Sequence, residues 1–509
     1  MRLSLAYEMQ RPVVDDHAVI EETLEQCVLA DRMGFDTVWF VEHHFLTSFS
    51  MSPCPEVIFG ALSRLTKRIR LGFGVVILPY HHPVRVAERV AMVDHMSGGR
   101  VEFGTGRSAA YEQMGMGIDP RHTRAMWEES LRMIPRIWED GQFSWEGQFW
   151  NVPARDVRPK PYQKPHPGIW VAALQPATYQ LAAELGIGVM ALSVASPSFL
   201  APHIKAYKER VRDATPVGKF VNGQWLSSTM GLCGPDNKEA RELAARSLRT
   251  FFGPDRPYLK DQTHLYEQLV ESWGGVPDHL RANFARYIKT EGAEGAPAVD
   301  LSGGSGQIAS ALWNQIDADT LVERGVLVAG DPESCLRSIA IHEEAGVDEL
   351  QFLMATETVP HPKVMESIEL FGTHVIPEMR KLAGRRHDLR GGGDHARAVP
   401  AVRGGHGRAP AGQPHRVRRH PPVPSRGLEI SGRPPRALPV VGLPRDEPGR
   451  GRGLPGDPAR RDAGGGRRHH ADARRAVRGD RLSRVRGAAR CAPRREVIRE
   501  LTREPARGS

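Results

Sequence analysis

The chain has 509 residues, a formal net charge of +9 and a hydrophobic content of 40%, a composition typical of a globular protein. It has no apolar run near the roughly 20 residues that a transmembrane helix needs, and its N-terminus lacks the pattern of a signal peptide, so we expect no membrane association. Its five cysteines include no CxxC pair. This argues against a zinc site or a disulfide framework and favours a cytoplasmic protein.

The positive charge is concentrated at the C-terminal end of the chain. Residues 385–509 contain 31 Arg against 12 acidic residues, a surplus of 19, and since the whole chain carries +9, residues 1–384 carry −10. The segment has no Phe, Trp or Tyr, so it buries too little apolar surface to offset chain entropy, and we predict that it is disordered. It is either a basic tail that attracts nucleic acid or, as we favour, an out-of-frame reading of a GC-rich gene after about Gly384. We therefore expect one folded domain, residues 1–384, with no specific nucleic-acid partner.

Helices and strands are predicted to alternate along this domain. The first helix, residues 17–34, has apolar residues at helical spacing and stops at Gly34. The elements that follow are predicted, in chain order, as a strand at 36–41, a helix at 55–66, a strand at 69–78, a helix at 83–97, a strand at 100–106, a helix at 124–140, a strand at 168–173, a helix at 177–186, a strand at 188–194, a helix at 197–213, a strand at 220–229, a strand at 349–354 and a helix at 360–379.

The strands are short, apolar on both sides and separated by helices, which predicts a parallel sheet covered by helices. About eight such units favour an α/β fold of the (β/α)8 TIM-barrel type with insertions, and a doubly wound open sheet is the alternative. The stretch FSWEGQFWNV predicts a hairpin that turns at Glu146-Gly147. Residues 234–330 predict a long insertion after the strand at 220–229.

Two adjacent histidines follow the strand predicted at 36–41. In a barrel this position places Glu42, His43 and His44 at the mouth, where active sites lie. Adjacent histidines in an extended chain point to opposite faces and do not easily ligate one ion, so we predict no metal site. We expect one of the two to face the cavity, and we favour an acid/base role over a structural one.

Two other junctions indicate a phosphorylated ligand. Arg107 follows the strand at 100–106 beside small residues, which is typical of a phosphate clamp. Gln175 and Thr178 lie at a short polar turn before a helix, where free backbone N–H groups bind anions. The motifs GxGxxG after a strand, GxxxxGK[ST] and GxSxG do not occur in the sequence, which disfavours Rossmann-type NAD binding, P-loop nucleotide hydrolysis and esterase activity.

Together these motifs resemble the bacterial-luciferase-like flavin monooxygenases. The stretches GFDTVWFVEHHF, LGFGVVILPYHHPVRVAE, DHMSGGRVEFGTGR and GDPESCLRSIAIHEEAGVDELQFLM occur in the family's order and spacing, and the resemblance covers residues 1–384. It implies a TIM barrel that uses reduced FMN, delivered by a separate NAD(P)H-dependent flavin reductase, to activate O2. It also implies a homodimer, and some relatives use a deazaflavin instead of FMN.

The resemblance also assigns roles to individual residues. It implies that His43 is the active-site base or acid near the reacting flavin carbon and that His44 is a less critical neighbour. The peptide Gly74-Val75 falls where relatives carry a non-prolyl cis bond under the flavin ring. The residues implied to bind the phosphate are Arg107, Leu174 through its backbone, Gln175 and Thr178.

The implied function is that of a two-component monooxygenase, which oxygenates a small organic substrate through a peroxyflavin. The segment 234–330, or a loop near Tyr111, is expected to act as a lid. The alternatives are a deazaflavin-dependent oxidoreductase on the same barrel and a non-catalytic flavin-binding partner subunit. The presence of both His43 and Arg107 argues against the non-catalytic alternative.

Overall fold

The computed structural model describes residues 1–10, 15–46, 49–191, 196–252 and 316–381. This part of the chain contains strands that alternate with helices, as predicted. The strands are β1 (Arg2–Tyr7), β2 (Thr37–Phe40), β3 (Arg70–Ile77), β4 (Val101–Gly106), β5 (Phe143–Glu146), β6 (Asn151–Arg155), β7 (Gly168–Ala173), β8 (Gly188–Ala191), β9 (Trp225–Cys233), β10 (Leu327–Gly330) and β11 (Glu349–Leu353).

Eight of these strands form a closed barrel. The ring runs β1, β2, β3, β4, β7, β8, β9 and β11, and β11 then pairs with β1. Every pair of neighbours in the ring is parallel. The predicted TIM barrel is therefore confirmed, and the doubly wound sheet is excluded because an open sheet has no such closing pair.

Helices connect the strands of the ring, and local signals set their ends. The carboxylate of Asp15 accepts a hydrogen bond from the N–H of Ala18 at the start of the first helix, and Gly34 ends that helix at φ 90°. None of the described helices is long and apolar enough to cross a membrane. The helices are α1 (Asp16–Met33), α2 (Pro55–Leu65), α3 (Pro83–Ser97), α4 (Ala110–Gly115), α5 (Thr123–Ile137), α6 (Pro176–Glu184), α7 (Pro197–Arg210), α8 (Asn237–Phe252), α9 (Ala318–Glu323), α10 (Pro332–Glu344) and α11 (His361–Leu370).

The predicted hairpin is confirmed. β5 and β6 pair in antiparallel fashion, and β5 ends at Glu146. The carboxylate of Glu129 in α5 accepts a hydrogen bond from the Trp145 indole and from the backbone N–H groups of residues 148–150. Because one half-buried carboxylate accepts from three consecutive N–H groups of the turn, the hairpin is fixed to the outside of α5.

The region predicted as an insertion, residues 234–330, contains barrel elements at both ends. It begins with α8, which packs against β9 and β10, and it ends with α9 and β10. β10 pairs in parallel with Met230–Cys233 at the C-terminal end of β9, beyond the part that pairs with β8, and Met230 also pairs with β11. Residues 253–315, the middle of the region, and the tail at 385–509 lie outside the described residues.

Three further details differ from the sequence-based expectation. β9 begins at Trp225 rather than at Phe220, because Phe220 and Val221 are exposed and only the following residues are buried on both sides. The segment near Tyr111 is the helix α4 and not a loop, since Tyr111 and Met114 pack into the core. No bounds were predicted for β1.

The centre of the barrel is filled by two tryptophans. Trp39 of β2 and Trp170 of β7 are buried and meet edge to face, with ring centroids 5.6 Å apart. Glycines on neighbouring strands provide the space. A Cβ atom on Gly72 would lie 2.3 Å from the Trp39 ring, and one on Gly188 would lie 2.4 Å from the Trp170 ring.

Four charged side chains lie at the N-terminal end of the barrel, and we call Arg2, Arg70, Glu102 and Glu349 the barrel floor. Nη2 of Arg2 lies 2.5 Å from Oε2 of Glu349, and Nε of Arg70 lies 2.6 Å from Oε1 of Glu102. The Trp39 indole donates to Glu349 (2.7 Å) and the Trp170 indole donates to Glu102 (2.9 Å). The barrel floor therefore pairs each buried carboxylate with a cation and joins it to the tryptophans above.

Replacing Gly72 by Ala should lower the free energy of unfolding by about 1–3 kcal/mol, because the added methyl group overlaps the Trp39 ring. Gly60→Ala is the matched control. Gly60 lies in α2 and no atom lies within 4 Å of a Cβ added there, so this change should be neutral or should stabilise by up to about 1 kcal/mol. Urea unfolding measures both variants, and equal stabilities would contradict this account of the packing.

Candidate active site

The C-terminal ends of the barrel strands form the mouth of the barrel. All the residues predicted for the site lie there, in or after β2, β3, β4 and β7, which are consecutive neighbours in the ring. The stretch 42–44 follows β2, Gly74-Val75 lies within β3, and Arg107 follows β4. Residues 174–178 connect β7 to α6 and form its first turn.

His43 lies between two carboxylates. Its Nδ1 is 3.2 Å and 3.3 Å from the two carboxylate oxygens of Glu112, and its Nε2 is 3.5 Å from Oε2 of Glu8. Its backbone N–H donates to the carbonyl oxygen of Ser52 (3.0 Å), which fixes the chain after β2. Both ring nitrogens of His43 therefore face an acidic group.

Glu112 holds this cluster together. Its buried carboxylate accepts hydrogen bonds from the backbone N–H of His44 (2.6 Å) and from the Ser108 hydroxyl, and it also contacts His43. Burial tends to raise the pKa of Glu112, but His43 and the two donors outweigh burial and lower it. Glu112 is therefore ionised at neutral pH.

The acidic neighbours of His43 control its charge. Burial by itself lowers the pKa of His43, but the carboxylates of Glu112, Glu8 and Glu42 outweigh burial and raise it to about 9. Burial raises the pKa of Glu8, and the nearby imidazole opposes that effect. Oε2 of Glu8 is buried and has no hydrogen-bond partner among the described residues, so its 3.5 Å approach to His43 is its one polar contact there.

Glu42 is the centre of a second cluster beside the first. Its Oε1 lies 3.2 Å from Nε2 of His44 and 2.6 Å from Nε2 of His81, and its Oε2 accepts the N–H of Ile77 (2.8 Å). Burial favours a raised pKa for Glu42, but these donors lower it. The two adjacent histidines therefore have different surroundings: His44 contacts Glu42, and His43 contacts Glu8 and Glu112.

Three residues next to these clusters have a left-handed backbone. Met9, Phe45 and Ser108 have φ values of 52°, 63° and 60° and follow Glu8, His44 and Arg107 in sequence. This conformation costs a non-glycine residue about 1–3 kcal/mol and persists only where the surrounding structure enforces it. The chain thus turns sharply after β1, β2 and β4, at the three places that carry the polar side chains of the mouth.

β3 and β4 lie unusually close together at the mouth. The peptide bond Gly74-Val75 is cis, as the resemblance implies. A Cβ atom on Gly104 would lie 2.0 Å from the carbonyl oxygen of Phe73, and one on Gly106 would lie 2.5 Å from Cγ2 of Val75. Glycine is therefore required at both positions of β4 for the two strands to keep this approach.

An exposed cation and a helix N-terminus lie on the other side of the mouth. Arg107 is exposed after β4, and Gln175 precedes α6 with a side chain that makes no capping hydrogen bond. β4 and β7 pair directly, so these two features follow adjacent strands. Leu174 is half exposed, and the N–H of Thr178 donates to the Gln175 carbonyl (2.9 Å), which closes the first turn of α6. This arrangement favours an anion.

Sequence reasoning missed Glu8 and Glu112. Glu8 directly follows β1, the strand for which no bounds were predicted, and Glu112 lies in α4, in a segment expected to be a loop. The sequence contains a signal for Glu8, because Glu8 follows β1 in the same way that Glu42 follows β2. Glu112 had no such signal, since its position depends on how α4 folds back over the mouth.

Comparisons with known proteins agree with this geometry. Residues 2–349 match the sequence model of a family described as luciferase-like monooxygenase. The oxygenase component of the flavin-dependent trigonelline monooxygenase of Acinetobacter baylyi is 30% identical over 281 residues, which is 53% of this chain and 75% of that protein. Limonene 1,2-monooxygenase of Rhodococcus erythropolis is 33% identical over 184 residues, 36% of this chain and 47% of that protein.

A solved structure shows the same fold. The oxygenating constituent of 3,6-diketocamphane monooxygenase from Pseudomonas putida, in complex with FMN, covers 74% of this chain and 98% of its own at 20% identity, with a TM-score of 0.53. The family match over residues 2–349 includes both clusters at the mouth and the candidate anion site. The chain belongs to the family of luciferase-like flavin-dependent monooxygenases.

Proposed function

We propose that this protein is the oxygenase component of a two-component monooxygenase that uses reduced FMN and O2 to oxygenate a small organic substrate. The observation that carries the proposal is the position of His43. This protonatable side chain lies between two carboxylates at the mouth of a barrel of this family. It follows β2, which pairs with β3, the strand that contains the cis peptide Gly74-Val75. A similar protein is named as an oxygenase component, which supports a separate flavin reductase as partner.

The residues at the mouth fit the phosphate and ring of FMN. The exposed guanidinium of Arg107 and the first turn of α6, with Leu174, Gln175 and Thr178, would hold the phosphate. The backbone of Gly74-Val75 would lie under the ring, where Gly104 and Gly106 keep β4 close to β3. When bound, reduced FMN supplies the electrons that activate O2.

The protein's own groups position the proton. Glu112 accepts from Nδ1 of His43 and so fixes the orientation of the ring, which leaves Nε2 as the nitrogen that gives or takes a proton. The cluster of Glu42, His44 and His81 fixes the chain on which His43 stands, because Glu42 also binds the backbone of β3 at Ile77. We propose His43 as the acid/base and His44 as a positioning residue.

Labelled oxygen tests the proposed function. Purified protein, FMN, a flavin reductase and NADH are incubated under 18O2 with a panel of small organic substrates, and the products are examined by mass spectrometry. We expect one 18O atom in the product and the other in water. A reduced deazaflavin in place of FMN is the control. Turnover only with the deazaflavin, without 18O, would establish the alternative oxidoreductase, and flavin binding without turnover would indicate a partner subunit.

A further inference from the structure

We propose that His81 is a positioning residue for the flavin ring, because it holds the carboxylate of Glu42 against the last residue of β3. This inference rests on the proposed function, in which the backbone of Gly74-Val75 lies under the ring. It gives a role to a histidine that was not among the residues predicted for the site.

The part of β3 that would lie under the ring has no strand neighbour. The pairing of β2 with β3 ends at Phe73, so β2 does not reach the residues that follow. On the other side, the pairing with β4 is interrupted after Phe73 and resumes at Val76. Gly74-Val75 therefore pairs with neither strand, and its position depends on how the end of β3 is held.

A side chain takes the place of the missing strand. The N–H of Ile77, the last residue of β3, donates to Oε2 of Glu42 (2.8 Å). Glu42 is buried and lies two residues beyond the end of β2. Because its carboxylate is ionised, this hydrogen bond is stronger than one between neutral groups. Glu42 thus holds the end of β3 from the side that β2 does not reach.

His81 fixes the carboxylate of Glu42. The chain turns after β3 in a short 3₁₀ helix, Leu78–Tyr80, and the N–H of His81 donates to the carbonyl of Leu78 (3.2 Å). The His81 ring returns to Glu42, where its Nε2 lies 2.6 Å from Oε1. An ionised carboxylate only accepts hydrogen bonds, so Nε2 of His81 carries the proton. Both oxygens of Glu42 are therefore bound by the segment that ends β3 and turns away from it.

His44 contacts the same oxygen but does not join the two strands. Its Nε2 lies 3.2 Å from Oε1 of Glu42, a longer distance than that of His81. His44 and Glu42 also lie on one segment, two residues apart, so their contact does not connect that segment to β3. Loss of His81 should therefore release the end of β3 more than loss of His44.

Hydrogen exchange in flavin-free protein tests the first step. Exchange of the Ile77 amide is followed by NMR in the wild type, in His81→Leu and in His81→Gln. We expect it to be about 10-fold faster in His81→Leu, because Glu42 loses a donor, and near the wild-type rate in His81→Gln, whose amide can still donate. His82→Gln is the matched control and should change nothing, since His82 is exposed and bonds the N–H of Val84.

Flavin binding tests the second step. The dissociation constants of reduced FMN and of reduced riboflavin are measured by calorimetry in the absence of O2. Riboflavin has the ring of FMN and no phosphate. We expect His81→Leu to raise both constants by the same factor, about 10-fold, and His81→Gln to restore them. Arg107→Met should raise the constant of FMN alone, because it removes a phosphate contact of the proposed site.

Several results would overturn the role of His81. An Ile77 amide that exchanges freely in the wild type does so even if no variant folds. A folded His81→Leu protein with unchanged exchange at Ile77 does so too, as does one in which only the constant of FMN rises. A wild type that binds neither flavin refutes the proposed function and with it the role toward the ring, while protection of Ile77 would still show that Glu42 orders β3.

Discussion

Replacing His43 by Gln should lower the rate of product formation by about 10²–10⁴-fold, because glutamine fills a similar space but cannot exchange a proton. The fold should survive, since the carboxylate of Glu112 keeps its hydrogen bonds from the His44 backbone and from Ser108. Initial rates of O2 consumption and of product formation measure the effect, and circular dichroism confirms that the variant is folded.

Two histidine variants serve as comparisons. His44→Gln should lower the rate less than His43→Gln does, because the His44 ring contacts Glu42 and not the cluster of Glu8 and Glu112. His374→Gln should leave the rate unchanged, since His374 is exposed in the π-helical turn after α11. Equal losses in the His43 and His44 variants would contradict the division of roles between the two adjacent histidines.

The pH dependence gives the direction of proton transfer. The pKa of His43 is raised to about 9, so the ring is protonated at neutral pH and loses its second proton as the pH rises through that value. If His43 donates the proton, the rate should fall over the same range, and His43→Gln should lack this fall. A rate that instead rises through pH 9 would show that His43 acts as a base.

The sequence predicts the barrel well because the signals that define its elements are local. Gly34 ends α1 with the expected left-handed backbone, and Pro83 begins α3 at the expected residue. The chain alternates apolar strands with amphipathic helices, and this pattern alone specifies parallel strands covered by helices. β10 was missed because its four residues lie in the region expected to be an insertion, and α4 was missed because its six residues lie in a segment expected to be a loop.

The candidate site is only half predictable for a different physical reason. His43 and Arg107 are marked by their positions after strands, but the partners of His43 depend on contacts between distant parts of the chain. Glu8 reaches His43 because β1 and β2 are adjacent in the ring, and Glu112 reaches it because α4 returns over the mouth. No periodicity within a single segment contains that information.

The largest stability effect is expected at the barrel floor. Replacing Arg2 by Met should lower the free energy of unfolding by about 3–5 kcal/mol at pH 8, because it leaves the buried carboxylate of Glu349 without a cation. Burial raises the pKa of Glu349 even with Arg2 present, and without Arg2 it should rise further. A carboxyl group whose pKa is raised in the folded state stabilises the fold below its unfolded pKa and loses that contribution as the pH increases. The loss of stability caused by Arg2→Met should therefore be smaller at pH 5 than at pH 8.

A second substitution separates the unpaired charge from lost packing. Arg2→Met combined with Glu349→Gln should recover most of the stability at pH 8, because the neutral amide still accepts from the Trp39 indole and needs no cation. Arg85→Met is the surface control: the side chain of Arg85 is 70% exposed and pairs with Glu88, so its removal should cost less than about 1 kcal/mol. Urea unfolding at the two pH values measures all three proteins. If the double variant is as unstable as Arg2→Met, the lost stability comes from the aliphatic packing of Arg2. The unpaired charge of Glu349 is then not the cause.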